Sequence, residues 1–119
     1  MNVIKFKFEG LIIWNKSMEL GEDVDRIVER FPKKELYSLS TQIRRACDSI
    51  ALNIAEGSIL QSNLEFKRFL GYSIRSLAEV IRCIHKAKLR SYISEKQFEK
   101  MYIDSFNLMN MMIAFRRKV

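Results

Sequence analysis

QIRRACDSIALNIAEG, residues 42–57, carries apolar side chains at Ile43, Ala46, Cys47, Ile50, Ile54 and Ala55, recurring at three- and four-residue steps. That period places them on one stripe of an α-helix. Beside it runs a second stripe of neutral or small polar groups, Gln42, Ser49 and Asn53, ending in Glu56. Gly57 follows, the residue type that most easily takes the left-handed turn closing a helix. A helix apolar on one side and selectively polar beside it packs against several partners. It is expected at the centre of the domain.

Outward from this stretch the pattern stays helical. Phe8, Leu11, Trp14 and Met18, followed by Val24, Ile27, Val28 and Phe31, predict a helix over about 9–30 that Pro32 ends. Gly21 sits inside it at a cost of about 1 kcal/mol relative to Ala. Before it, residues 2–8 alternate Ile4, Phe6 and Phe8 with lysines and read as a short extended arm. The central helix is expected over about 39–56, capped by Ser38 or Ser40, with a loop, SILQ, at 58–61. Ser62 with Glu65 forms a capping-box pattern opening a third helix over about 63–89, with Phe66, Leu70, Ser73, Leu77, Val80, Ile84 and Ala87 as a near-heptad seam. Ser94 with Gln97 repeats the box and opens a fourth over about 95–117. Four helices joined by short loops predict one all-α domain, residues 1–119, folded as an antiparallel up-down-up-down bundle.

Bulk properties agree with that class. A chain of 119 residues, 48% hydrophobic and 29% charged, buries roughly two thirds of its unfolded surface as one domain. One Pro and four Gly leave little turn chemistry for many short strands. Cys47 and Cys83 fall in apolar periodic stretches and read as reduced core residues of a cytoplasmic protein. No run approaches the ~18 apolar residues of a membrane span. Net charge is +7, a balance that leans towards an anionic partner.

The central stretch resembles the signature of the bacterial four-helix-bundle proteins encoded in intervening sequences of 23S rRNA genes, roughly Q-L-R-R-A-x-x-S-I-x-x-N-I-A-E-G. It agrees at Gln42, Arg44, Arg45, Ala46, Ser49, Ile50, Asn53, Ile54, Ala55, Glu56 and Gly57, with Ile43 for Leu. Phe8, Leu11 and Trp14 resemble the opening F-x-x-L-x-x-W, and Phe31, Pro32 and Glu35 the F-P-x-x-E that precedes the central helix. Phe69, Leu70, Ser76, Leu77 and Glu79 resemble the later F-L-x-x-A-x-G-S-L-x-E, with Ser73 standing for Ala and Arg75 for Gly. The resemblance covers about residues 8–90. It implies a small bacterial protein that assembles as a homopentamer, related to nucleic-acid-binding accessory proteins of retroelements, with no enzymatic activity.

Residue chemistry points the same way. Di-iron chemistry in a bundle needs two Glu-x-x-His pairs, and His85 is the single histidine, with no acid three residues before it. Two cysteines without further ligands make no zinc site from one chain. There is no glycine-rich phosphate loop, and no carboxylate or serine is patterned around His85 to make it a general base. Neither metal nor cofactor is expected, and catalysis has no visible apparatus. Ser49, Asn53 and Glu56 are read as a hydrogen-bonded polar layer that fixes helix register rather than as a pocket. Leu108, Met109, Met111, Met112, Ile113 and Phe115 leave the fourth helix almost no polar face, so Met109, Met112 and Phe115 are assigned to a contact between subunits.

The basic residues carry the functional expectation. Arg68, Arg75 and Arg82 recur every seven residues on the side of the third helix opposite its seam, with Lys86 four residues on and Tyr72 between. Glu79 interrupts them and is placed to pair with Arg75 or Arg82. Arg116, Arg117 and Lys118 add a second cluster. Five copies of the chain would carry roughly +35, a field that attracts polyanions. The reading is a non-enzymatic, oligomeric protein binding RNA or DNA with little sequence preference. A protein-interaction scaffold, in which the fourth helix binds another protein and the charge serves solubility, is the alternative.

Overall fold

Short connections between amphipathic segments leave each helix little choice but to turn back on its predecessor. The computed structural model describes residues 5–59 and 62–119. Within them lie four helices and no strand: α1 Ile12–Val28, α2 Leu39–Ser58, α3 Asn63–Leu89 and α4 Glu95–Lys118. Arg44 of α2 donates to Asp25 of α1 at 2.8 Å. Between α2 and α3, Gln42 reaches Glu79 at 3.2 Å while Ser73 donates to the Ile50 carbonyl at 2.6 Å, so these two run antiparallel. Lys88 with Glu95 at one end and Phe66 against Phe115 at the other make α3 and α4 antiparallel too. Asp23 and Lys100, 3.8 Å apart, bring α1 beside α4 and close the ring of an all-α four-helix bundle.

The seam of α3 lies inside: Phe66, Leu70, Ser73, Leu77, Val80, Ile84 and Ala87 are all buried. With Ile43, Ile50 and Ile54 of α2 and Val24 of α1 they form one continuous core. Each such aliphatic side chain contributes about 1.5–3 kcal/mol of burial.

Ends and connections differ from the sequence pattern in instructive ways. A 3-10 turn over Lys7–Gly10 precedes α1, with the Phe6 amide donating to the Glu9 carboxylate at 3.1 Å. Phe8 thereby turns in against Trp14, ring centroids 5.0 Å apart, instead of extending as an arm; residues 2–4 of that arm lie outside the described residues, as do Leu60 and Gln61 of the loop after α2. Neither Ser38 nor Ser40 caps α2 with its hydroxyl. Ser40 is buried, and Ser38 donates to the Glu35 carboxylate at 2.8 Å, which also accepts the Leu39 amide at 3.4 Å. The cap of α2 is an acid four residues upstream. Ser62 accepts the Glu65 amide at 3.1 Å, but the Glu65 carboxylate turns to Arg68 rather than back to the cap. Only Ser94 and Gln97 complete the reciprocal box. α3 ends in a left-handed residue that is a serine, Ser91 at φ 62°, with Tyr92 and Ser91 amides donating to the Ala87 and Lys88 carbonyls.

Gly57 is the clearest correction. It takes no left-handed conformation, and α2 runs through it to Ser58. What the position demands is the absence of a side chain. A Cβ there would lie 2.7 Å from the Phe69 Cβ and 2.9 Å from the Phe66 ring, inside van der Waals contact. Gly57 is what lets α3 cross so near the end of α2.

Candidate nucleic-acid interface

Seven residues advance a helix by roughly 10.5 Å and almost two whole turns, so a residue repeated at that step stays on one side. Arg68, Arg75 and Arg82 do so on α3, and all three are exposed, as is Lys86. Arg68 is held by the Glu65 carboxylate at 2.9 Å and by the Tyr72 hydroxyl at 3.1 Å. Glu79 pairs with neither Arg75 nor Arg82; its carboxylate accepts from Gln42 of α2. Arg75, Arg82 and Lys86 have no ion-pair partner among the described residues.

The C-terminal cluster divides. Arg116 folds back across α3, its Nε donating to the Lys67 carbonyl at 2.8 Å beside Gly71. That bond ties the end of α4 to α3 through one N–H, while the guanidinium stays exposed and without an ion-pair partner among the described residues. Arg117 and Lys118 remain exposed on the last turn, the end of a helix that favours positive charge.

Of the polar layer, Ser49 and Asn53 come together. Asn53 Nδ2 donates to the Ser49 carbonyl at 2.8 Å and lies 2.9 Å from its hydroxyl, which in turn is 2.9 Å from Ser76 Oγ on α3. Glu56 is exposed and stands apart from them. The three residues assigned to a subunit contact sit differently from that expectation. Met112 is 0% exposed and packs inside its own bundle, while Met109 and Phe115 are half-buried against the same core. Met112 belongs to the same core cluster as Leu70, Leu77 and Ile84 of α3.

A second polar cluster, suggested in the sequence only by the F-P-x-x-E likeness, closes the other end of the bundle. Glu35 is 6% exposed. Besides Ser38 and Leu39 it receives the Tyr92 hydroxyl at 2.7 Å and the Arg90 guanidinium at 2.9 Å. The Tyr92 bond leads the causes that hold its carboxyl at about 2, against an ordinary 4.5. The same bond pushes the Tyr92 hydroxyl upward. Glu35 thus links the α1–α2 connection to the α3–α4 connection. It is a structural hub rather than a ligand group, since its lone pairs are committed to the fold.

Cys47 and Cys83 are buried and free, and burial pushes the Cys47 thiol up to about 12, far from a reactive thiolate. His85 is exposed and lies edge-on to Phe98 at 5.0 Å and Tyr102 at 6.0 Å. No group of three or more potential ligand residues suited to a metal ion occurs among the described residues. None of the described helices is long and apolar enough to cross a membrane.

The defining pattern of the family described as 23S rRNA-intervening sequence protein matches residues 9–114. The chain belongs to that family. Among solved structures, a protein of unknown function from the S23 ribosomal protein family of Bacteroides thetaiotaomicron has the same fold, with a TM-score of 0.81. It is 23% identical, and the alignment covers 88% of this chain and 98% of that one. Comparison with curated proteins found no match. The match extends through most of α4, past the quoted motifs, which end on α3, so the fourth helix of this 23S rRNA-intervening sequence protein is part of the family pattern as well.

Proposed function

We propose that this protein is a non-enzymatic, oligomeric nucleic-acid-binding protein that holds phosphate backbones on the exposed side of α3 with little sequence preference. The observation that carries the proposal is that Arg75, Arg82 and Lys86 are exposed and without an ion-pair partner among the described residues, while Glu79 accepts from Gln42. Arginine's planar fork suits phosphate. Cations about 10.5 Å apart along a helix meet separate phosphates without needing a particular base. Arg116, Arg117 and Lys118 extend the field along the last turn of α4, with Arg116 also tied to the Lys67 carbonyl.

Changing Arg68, Arg75 and Arg82 together to Gln is the test. Binding to RNA and DNA should weaken for every sequence, and the log-affinity against log-salt slope should flatten by roughly 2–3, since each lost contact removes about 0.7–0.9. Exposed pairs contribute about 0–1 kcal/mol, so the variant should remain folded by circular dichroism. An unchanged slope in a folded variant would remove α3 from the proposal.

Association is supported less by α4's methionines than by a groove of about 490 Å³ between α1 and α2. Trp14, Met18, Ala51 and Leu52 line it, with Glu22 and Asp48 also at the groove. Met18 and Leu52 are exposed. With acids beside an apolar floor, on a chain of net charge +7, the groove suits a second copy. We expect light scattering to give a mass of several subunits, and Leu52→Glu to lower it. A wild-type mass near 14.1 kDa would rule the oligomer out. If nucleic acid is also not retained at low salt, the same groove favours the scaffold alternative.

A further inference from the structure

A helix of a soluble bundle ordinarily turns its aromatic rings inward, and α4 does so only in part. Phe98 and Met101 are buried, but Tyr102 is 40% and Phe106 54% exposed. Those two rings are four residues apart and nearly parallel, 16° between planes and 6.4 Å between centroids. Tyr102 also meets Phe98 at 5.7 Å, and His85 of α3 braces it edge-on. The rings are therefore held in one orientation while their outer surfaces face solvent. This surface adjoins the cationic face. Arg82 lies one turn before His85 on the exposed side of α3. Arg117 follows Phe106 by eleven residues, close to three whole turns, and so falls on the same side of α4.

From this juxtaposition we infer that Tyr102 and Phe106 form a base-stacking platform, which makes single-stranded nucleic acid the class of ligand taken along the α3–α4 face. The inference rests on the nucleic-acid reading above and adds what that reading leaves open. Phosphate contacts alone hold duplex and single strand alike, whereas a ring face is useful only to a base that is not already stacked in a duplex. Every base has such a face, so the platform adds affinity without sequence preference. The arginines on either side then hold the backbone on the two flanks of the stacked bases. Two exposed acids oppose on this face: Glu95, seven residues before Tyr102 and paired with Lys88 at 3.1 Å, and Glu99, one turn before Tyr102. Both sit at the far end from Arg117, and Glu99→Gln, which leaves the Lys88 pair intact, should strengthen binding rather than weaken it.

The experiment compares the full-length protein's affinity for an oligothymidylate and for a mixed-sequence duplex of equal length at one ionic strength. Tyr102→Ala and Phe106→Ala should each weaken single-strand binding by roughly 10-fold, the scale of one base–aromatic stack, and leave duplex binding unchanged. Phe106→Leu keeps the apolar volume and removes only the ring face, so it should lose as much as Phe106→Ala, whereas Phe106→Trp should restore binding. Ring variants that leave oligothymidylate affinity unchanged while duplex still binds overturn the platform and leave the basic-face reading standing. A wild-type protein that binds neither overturns both. If Phe106→Leu lowers the mass of the assembly, the rings are a contact between copies and the platform falls.

Discussion

Gly57→Ala is expected to destabilise the protein by about 1–2 kcal/mol, while Gly21→Ala, also in a helix, stabilises it by up to about 1 kcal/mol. Alanine is the better helix former at both positions, so local propensity favours both substitutions equally. Their surroundings decide the sign. At Gly21 a Cβ meets nothing within 4 Å. At Gly57 it would press on the Cβ of Phe69, the root of a side chain whose own backbone is locked in α3. A flexible tip would swing away; a Cβ moves only with its helix. Relief requires α2 and α3 to separate where Phe66 and Phe69 seal the bundle, and overpacking of that kind costs typically 1–3 kcal/mol. Thermal melting should register a fall of about 4–10 °C for Gly57→Ala and a small rise for Gly21→Ala. Equal shifts of one sign would mean that the helices do not approach as closely here as the geometry requires.

The second large effect is expected at Glu35→Gln. The wild-type carboxylate accepts from Tyr92, Ser38, Leu39 and Arg90, and beside it the Phe31 and Tyr92 rings, 5.3 Å apart, also join the two connections at that end. Its carboxyl is held at about 2 when folded and titrates near 4.5 when unfolded. The unfolded state therefore takes up the proton first as pH falls, so stability from this group is full above about 4.5 and lost progressively towards 2. The amide does not titrate and cannot pair with Arg90 as an ion. Denaturant midpoints should fall at neutral pH for Glu35→Gln, and the wild-type loss of stability between pH 4.5 and 2 should be shallower in the variant. An acid limb of the same steepness in both proteins would assign that pH dependence to other carboxylates.

How these effects arise bears on what could be read before the structure. The helices, their order and the buried seam of α3 were legible because a period of 3.6 in apolar residues is imposed by burial of one face, and Leu70, Leu77 and Ile84 had few other ways to leave water. The basic stripe was equally legible, since a seven-residue step is a local property of one helix. Tyr102 and Phe106 recur at the helical step from Phe98, yet periodicity alone does not say how far round α4 the neighbouring helices reach. The methionines of α4 looked unburiable for the same reason, yet Met112 is fully buried and Met109 and Met111 pack against the core.

Local sequence thus determined the all-α class, the helix order and the cationic side of α3, because each depends on residues within a few turns of one another. Tertiary structure decided the rest. Glu79 turns to Gln42 on another helix rather than to Arg75 or Arg82 of its own, a choice the local helical spacing does not show. Gly57 is needed for a crossing with Phe69 rather than for a turn, and Glu35 becomes a cap and a hub only when Arg90 and Tyr92 arrive from more than fifty residues away. Contacts between segments distant in the chain leave no periodic trace in either segment, so only packing can assign those roles.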